Sequence, residues 1–182
     1  MNSIDLLLNR QSNPFLTEPS PSKEQLDIIL KAGMKAPDHG GLMPWRFIIA
    51  EKSGLTRLSD VFESVAKEVT DDEAKITKAK NMPFRSPMII IVTTQYQEHN
   101  KVPKQEQLIT AGCATHAMQM AAFAQGLGAM WRTGDFSYNA KVKQALNIEF
   151  DQDIVGYLYL GTVKKDLPAK VAKDYDDFVE YL

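Results

Sequence analysis

Residues Gln105–Gly134 read QEQLITAGCATHAMQMAAFAQGLGAMWRTG. With His116 neutral, Glu106 and Arg132 are the only charges in this run. Apolar or small residues fill positions 108, 109, 111–114, 117, 118, 120–124 and 127, nearly the whole circumference of a helix. A helix that is apolar all round is buried all round. Residues 105–126 are therefore expected to form the central helix of the domain and also to touch a second copy of it. Ala111, Gly112, Ala114, Ala117, Ala121 and Ala122 are small, so neighbouring backbones can approach closely. A membrane span is the competing reading, but Gln107, Thr110, His116, Gln119 and Gln125 interrupt it too often. Gly126 and Gly128 end the helix, since glycine accepts the left-handed cap. A short strand then starts at Ala129 and carries Trp131, Arg132 and Thr133.

Bulk properties bound the rest. A chain of 182 residues suits one domain, 1–182, with a sizeable core. A composition of 44% hydrophobic and 24% charged residues indicates a soluble globular protein rather than a disordered one. The net charge of -2 gives no field that would draw the chain to nucleic acid or an anionic membrane. The lone cysteine, Cys113, rules out a disulfide framework within one chain and fits a reducing compartment. The N-terminal MNSIDLLLNRQ lacks the basic start and long apolar run of a signal peptide, so a cytoplasmic location is expected.

Outward from the central helix, the pattern alternates helices and strands. Ser3 is expected to cap a short helix carrying Ile4, Leu7 and Leu8, and Pro14 closes the polar turn after it. Ser22 and Gln25 form a capping box for a helix with Leu26, Ile29, Leu30 and Met34 on one face, ended by Pro37. A loop over 38–44 holds two glycines and Pro44. Trp45 and Phe47–Ala50 form a first buried strand, and 54–80 reads as helical, with DDEAKITKAK at 71–80 taken as solvated surface. Met88–Val92 is apolar on both faces and thus a central strand. A helix over 138–146 and an apolar strand over 154–160 complete the pattern. Helical crossovers between strands favour an α/β or α+β sheet covered on both faces. Tyr175, Phe178, Val179, Tyr181 and Leu182 form an apolar end to a polar arm, which needs a docking place on its own sheet or a partner's.

Few residues here advertise chemistry. No Walker loop is present, and Gly126-Leu127-Gly128 closes a helix instead of opening one. Phosphate loops use the positive N-terminal end of a helix, so this is not a dinucleotide fingerprint. A bound phosphate would need side chains, and Arg10 with Ser12 and Arg132 with Thr133 offer guanidinium forks and hydroxyls. The bland reading of each arginine is an ordinary ion pair. His39, His99, His116 and Cys113 lack metal-ligand spacing, and Asp38-His39 has no nucleophile elbow to make it part of a hydrolase triad.

Arg10-x-Ser12 after the first helix, Ala36-Pro37-Asp38-His39 after the second, Pro44-Trp45, Ala111-Gly112 and Trp131-Arg132-Thr133-Gly134 occur in this order. Together they resemble the FMN-dependent nitroreductase family, and within it the small YdjA-like branch, over residues 3 to 162. The resemblance implies an α+β fold with a mixed central β-sheet flanked by helices, and a C-terminal arm docking on the partner subunit. It implies an obligate homodimer with an FMN in each of two interface clefts. Carried over position by position, Arg10, Gln11, Ser12, Lys35, His39, Trp131, Arg132 and Thr133 line the flavin site. Two departures stand out. The family often has a second arginine at the position of Gln11, and Lys35 replaces an arginine, which loses the bidentate fork. Leu42 and Met43 also stand where the wider family has Asn and Gln.

The activity implied is FMN-dependent NAD(P)H oxidation, with hydride passing by flavin N5 to a nitroaromatic, a quinone or a similar small acceptor in ping-pong order. The protein places and tunes the cofactor and forms no covalent bond to substrate. The alternatives are a flavin carrier or sensor without turnover, and a hydrolase without flavin.

Overall fold

The computed structural model describes residues 2–171 and 174–182. Its helices are α1 Ser3–Asn9, α2 Lys23–Gly33, α3 Ser53–Val69, α4 Glu73–Asn81, α5 Lys104–Ala124, α6 Asp135–Tyr138 and α7 Ala140–Ala145. Its strands are β1 Leu16–Thr17, β2 Trp45–Glu51, β3 Met88–Thr94, β4 Gly128–Arg132 and β5 Ile154–Val163.

The fold is α+β with helices on both faces of the sheet, as expected. Strand β3 is central and buried throughout, between β2 and β5. Alternate side chains of β3 serve opposite cores. Ile89 and Ile91 pack with Leu58, Phe62 and Ile76 of α3 and α4. Met88, Ile90 and Val92 pack with Ile29 of α2 and Met118 and Ala122 of α5.

The expectation of a mixed sheet needs correction. Every hydrogen-bonded strand pair among the described residues is antiparallel. Helix α5 does join two strands that run the same way, β3 and β4. The last strand, β5, inserts between them and runs opposite to both. Strands β2 and β3 are linked by two helices, an even number of passes, so they too run opposite ways. The 54–80 segment is correspondingly two helices, because the Asp72 carboxylate accepts from the amides of Ala74 and Lys75 and starts a new one.

Other differences are local. Asn2, not Ser3, caps α1, in a reciprocal box with Asp5. The Ser22–Gln25 capping box is present, but α2 ends at Gly33, before Pro37 is reached. Strand β2 lies at a sheet edge, with Ile49 partly open. Helix α5 is buried along one side only, through Thr110, Ala111, Ala114, Thr115, Met118 and Ala122. Ile109 is 58% exposed, and Cys113 and His116 also face outward, so neither is a core residue. Small apolar residues satisfy a helix on its buried side without requiring cover on the other. The apolar end of the C-terminal arm has no cover in one chain, with Phe178 85% and Tyr181 95% exposed.

Candidate functional site

Where α1 ends, Arg10, Gln11 and Ser12 are tied into the sheet. The Asn13 amide donates to the Ala129 carbonyl of β4 at 2.9 Å, and its side chain donates to the Lys165 carbonyl. Gln11 Nε2 donates to the Leu167 carbonyl at 3.3 Å. Gln119 of α5 donates to Ser12 Oγ at 3.2 Å. Two atoms in this cluster are buried and unpartnered, Arg10 Nη1 and Gln11 Oε1. A buried donor without an acceptor costs about 1–3 kcal/mol, more when charged. This one therefore asks for an anion, with a hydroxyl or similar donor beside it for Gln11. A phosphate ester bearing hydroxyl groups, as FMN does, fits that pair.

A second group lies on the α5 face of the sheet. An open cleft of about 560 Å³ is lined by Lys35 and Pro37, by Gly112 and His116 of α5, and by Trp131. Gly112 leaves the Trp131 ring edge accessible, with no side chain of its own in the way. The Trp131 Nε1 donates to the Val155 carbonyl at 3.3 Å, which fixes the ring. His39 stands in a short turn, His39–Gly41, built on left-handed Gly40 and Gly41. Its Nδ1 lies 2.7 Å from the carboxylate of Glu106 in the first turn of α5.

A third group lies across the sheet. Neighbouring strand residues point to opposite faces, so Arg132 points away from the Trp131 cleft. Its guanidinium lies 5.7 Å from the ring centroid of Tyr159, within the α3–α4 core. Burial raises the Tyr159 phenol above its ordinary range, and the charges of Arg132 and Arg85 partly offset that. Next in the chain, Thr133 and Gly134 border a cavity of about 630 Å³ with apolar walls from Val65, Met82 and Phe136. Lys75 and Lys78 of α4 also line it.

The eight residues singled out by sequence thus fall into separate groups in one chain. Arg10, Gln11 and Ser12 sit together. Lys35 shares a cleft with Trp131, His39 pairs with Glu106, and Arg132 and Thr133 belong to the other face. Sequence reading missed Glu106, Gln119, Lys75 and Lys78. The lysines had a signal, because positions 75, 78, 79 and 82 share one helical stripe and so set both lysines beside apolar Ala79 and Met82. Among the described residues no three His, Cys, Asp or Glu side chains gather as a metal site would need, and no helix is long and apolar enough to cross a membrane.

The profile of the Nitroreductase family matches residues 9–162. The chain belongs to the nitroreductase family. It is 44% identical over 182 residues to YdjA of Escherichia coli K12, a protein provisionally named an NAD(P)H nitroreductase, and the match covers all of both chains. It is 37% identical over 185 residues to a Haemophilus influenzae protein with the same provisional name, again over both full lengths. The fold is also that of solved structures. A nitroreductase-like family protein from Bacillus cereus superposes with TM-score 0.86 at 22% identity, covering 100% of this chain and 96% of that one. A provisionally assigned nitroreductase from Desulfovibrio desulfuricans, solved in complex with FMN, gives TM-score 0.76 at 19% identity over 100% and 98%. The chain is accordingly an oxidoreductase of nitroreductase-like α+β fold.

Proposed function

We propose that this protein is an FMN-dependent NAD(P)H oxidoreductase that acts as a cytoplasmic homodimer of single-domain subunits spanning 1–182. The observation that carries the reading is the buried, unpartnered Arg10 Nη1 beside Ser12. Bound FMN supplies reversible hydride chemistry at its N5. Arg10 and Ser12 hold the phosphate, and Gln11 accepts from a neighbouring hydroxyl. Strand β4 leads from this cluster to Thr133. At about 3.3 Å per residue, Ala129 to Thr133 spans about 13 Å, so a ligand with a phosphate at one end and a flat ring at the other can use both ends.

At the far end the strand offers Trp131 on one face of the sheet and Arg132 and Thr133 on the other as candidates to border the ring. A fixed cation beside the ring would stabilise the negative charge that a bound flavin gains when reduced. Lys35 and Arg10 are candidates, and Lys78 joins them because it lines the cavity that Thr133 borders. Lys35 lies in the Trp131 cleft of its own chain and His39 pairs with Glu106, both away from the Thr133 cavity, so a site built at Thr133 would draw them from a second copy. The uncovered side of α5, the exposed Ile4, Leu7 and Leu8 of α1 and the uncovered C-terminal arm support such a dimer. The acceptor is a small nitroaromatic, a quinone or a similar molecule, since the cleft is open and places few polar groups to select by shape.

The test is the absorbance spectrum of purified protein before and after NADPH. A flavin spectrum that bleaches with NADPH and returns with acceptor is expected. A bound flavin that NADPH leaves untouched would make the protein a carrier, and no flavin at all would end the reading. Sedimentation at falling concentration tests the dimer, and a folded, flavin-loaded monomer would overturn it.

A further inference from the structure

We propose that His39 and Glu106 form a proton-donating pair for the acceptor half-reaction, with His39 as the acid and Glu106 as its positioning residue. The inference rests on the reading above.

Hydride transfer to an acceptor leaves a proton to be supplied. When a quinone is reduced, two electrons arrive as hydride at one oxygen and the second oxygen needs a proton. The quinone, one hydride and one proton together make the hydroquinone. His39 Nε2–H breaks its N–H bond, the acceptor oxygen gains an O–H bond, and the imidazole takes a proton back from water. A carboxylate on Nδ1 favours this. It fixes the ring, keeps Nδ1–H as a donor and stabilises the imidazolium that gives up the proton.

The structure has those parts. Glu106 accepts from His39 Nδ1 at 2.7 Å, which leaves Nε2 for another partner. Glu106 is three residues, about 4.5 Å of helix rise, from Ile109, which lines the Trp131 cleft. Both side chains remain about half open, so water can return the proton. The turn is held in place. Asp38 accepts from the Met43 amide at 2.7 Å, and Met43 has a left-handed φ of 48°, an unusual conformation for that residue. The other titratable groups on the elements around His39 are Asp38, Lys35, His99, Lys101 and Lys104. Lys104 of α5 pairs with Asp151 at 3.0 Å. Lys35 faces the cleft, and Lys101 precedes α5 on a loop whose Val102 lies against Gly40.

The experiment separates the two half-reactions by stopped flow, in the parent, in Glu106→Gln and in His39→Gln. It also follows the His39 ring by NMR titration. In the parent, the acceptor step should slow as pH rises through the His39 midpoint. Glu106→Gln should move the pH profile of the acceptor step and the His39 NMR titration together, and slow that step about tenfold more than flavin reduction by NADPH. His39→Gln should slow the acceptor step by about a hundredfold or more and remove its pH dependence. If His39→Gln loses its flavin, Glu106→Gln and the parent profile still decide. A parent that binds and reduces flavin, but whose acceptor step ignores both pH and Glu106→Gln, overturns this proposal alone. A parent that binds no flavin overturns the reading beneath it.

Discussion

Trp131 lies so close to Gly156 that a Cβ on the glycine would overlap the indole Nε1, and the same nitrogen donates to the Val155 carbonyl. The tryptophan that floors the cleft is thus set by the strand beside it. Gly156→Ala must move the ring or the strand. Overpacking of this kind costs about 1–3 kcal/mol. Urea unfolding should show that loss, and tryptophan emission should shift as the indole leaves its place. A variant with parental stability and emission would mean that the ring has room to give.

Arg10 and Arg132 should respond differently to removal. Arg10→Ala deletes a buried donor that has no partner in the protein alone, so it should not destabilise the flavin-free form. It should weaken FMN binding tenfold or more, since a charged hydrogen bond contributes about 1.5–3 kcal/mol. Arg132→Ala also gives up the contact with Tyr159, worth about 0.5–1 kcal/mol. It should therefore lower both flavin affinity and the stability of the flavin-free protein. Equilibrium dialysis with FMN and urea unfolding without it read the two effects separately. Unchanged FMN affinity in Arg10→Ala would remove the anion from that cluster.

What could be read from the sequence was decided by local chemistry. The run Met88–Val92, apolar at every position, could only be central, and the Ser22–Gln25 pair named its own hydrogen bonds. Register was harder. Nothing near Ile154 announces that β5 slots between β3 and β4, because that choice depends on which strands remain when the last one arrives. Helix α5 misled for a related reason. Small residues such as Gly112 and Ala117 look buried in any register, yet the side with Ile109, Cys113 and His116 is open in one chain. The site was legible only through several short motifs in order. The sequence could not show that Trp131 and Arg132, adjacent in the chain, serve opposite faces of the sheet in different company.

The buried tyrosines should shape how stability falls in alkali. Burial, with help from the Asp153 carboxylate 2.6 Å from its hydroxyl, pushes the Tyr96 phenol up to about 12. Burial also raises Tyr157 and Tyr159. A phenol with a raised folded-state value holds its proton more tightly folded than unfolded. Its contribution is fully present below about pH 10, the unfolded value, and is lost as pH climbs toward the folded one. Urea midpoints should thus fall between pH 10 and 12. Tyr96→Phe should cost about 1 kcal/mol at neutral pH through the lost hydrogen bond, and should show a shallower alkaline decline. An equally steep decline would assign it to the other tyrosines.

The order of the reaction follows from where glycines stand. Gly126, with φ 77°, closes α5, and Gly128 opens β4, so Gly126-Leu127-Gly128 lies at the negative end of a helix dipole. It offers no seat for a dinucleotide. The nicotinamide must approach the same open cleft that the acceptor uses, lined by Lys35 and Trp131. Two molecules that need one place cannot be bound together, so the first must leave before the second enters. Double-reciprocal plots against NADPH should give parallel lines as acceptor concentration changes. Oxidised nicotinamide should inhibit competitively against the acceptor, because both seek the reduced enzyme. Intersecting lines, with acceptor and oxidised nicotinamide bound at once to one site, would show a second pocket.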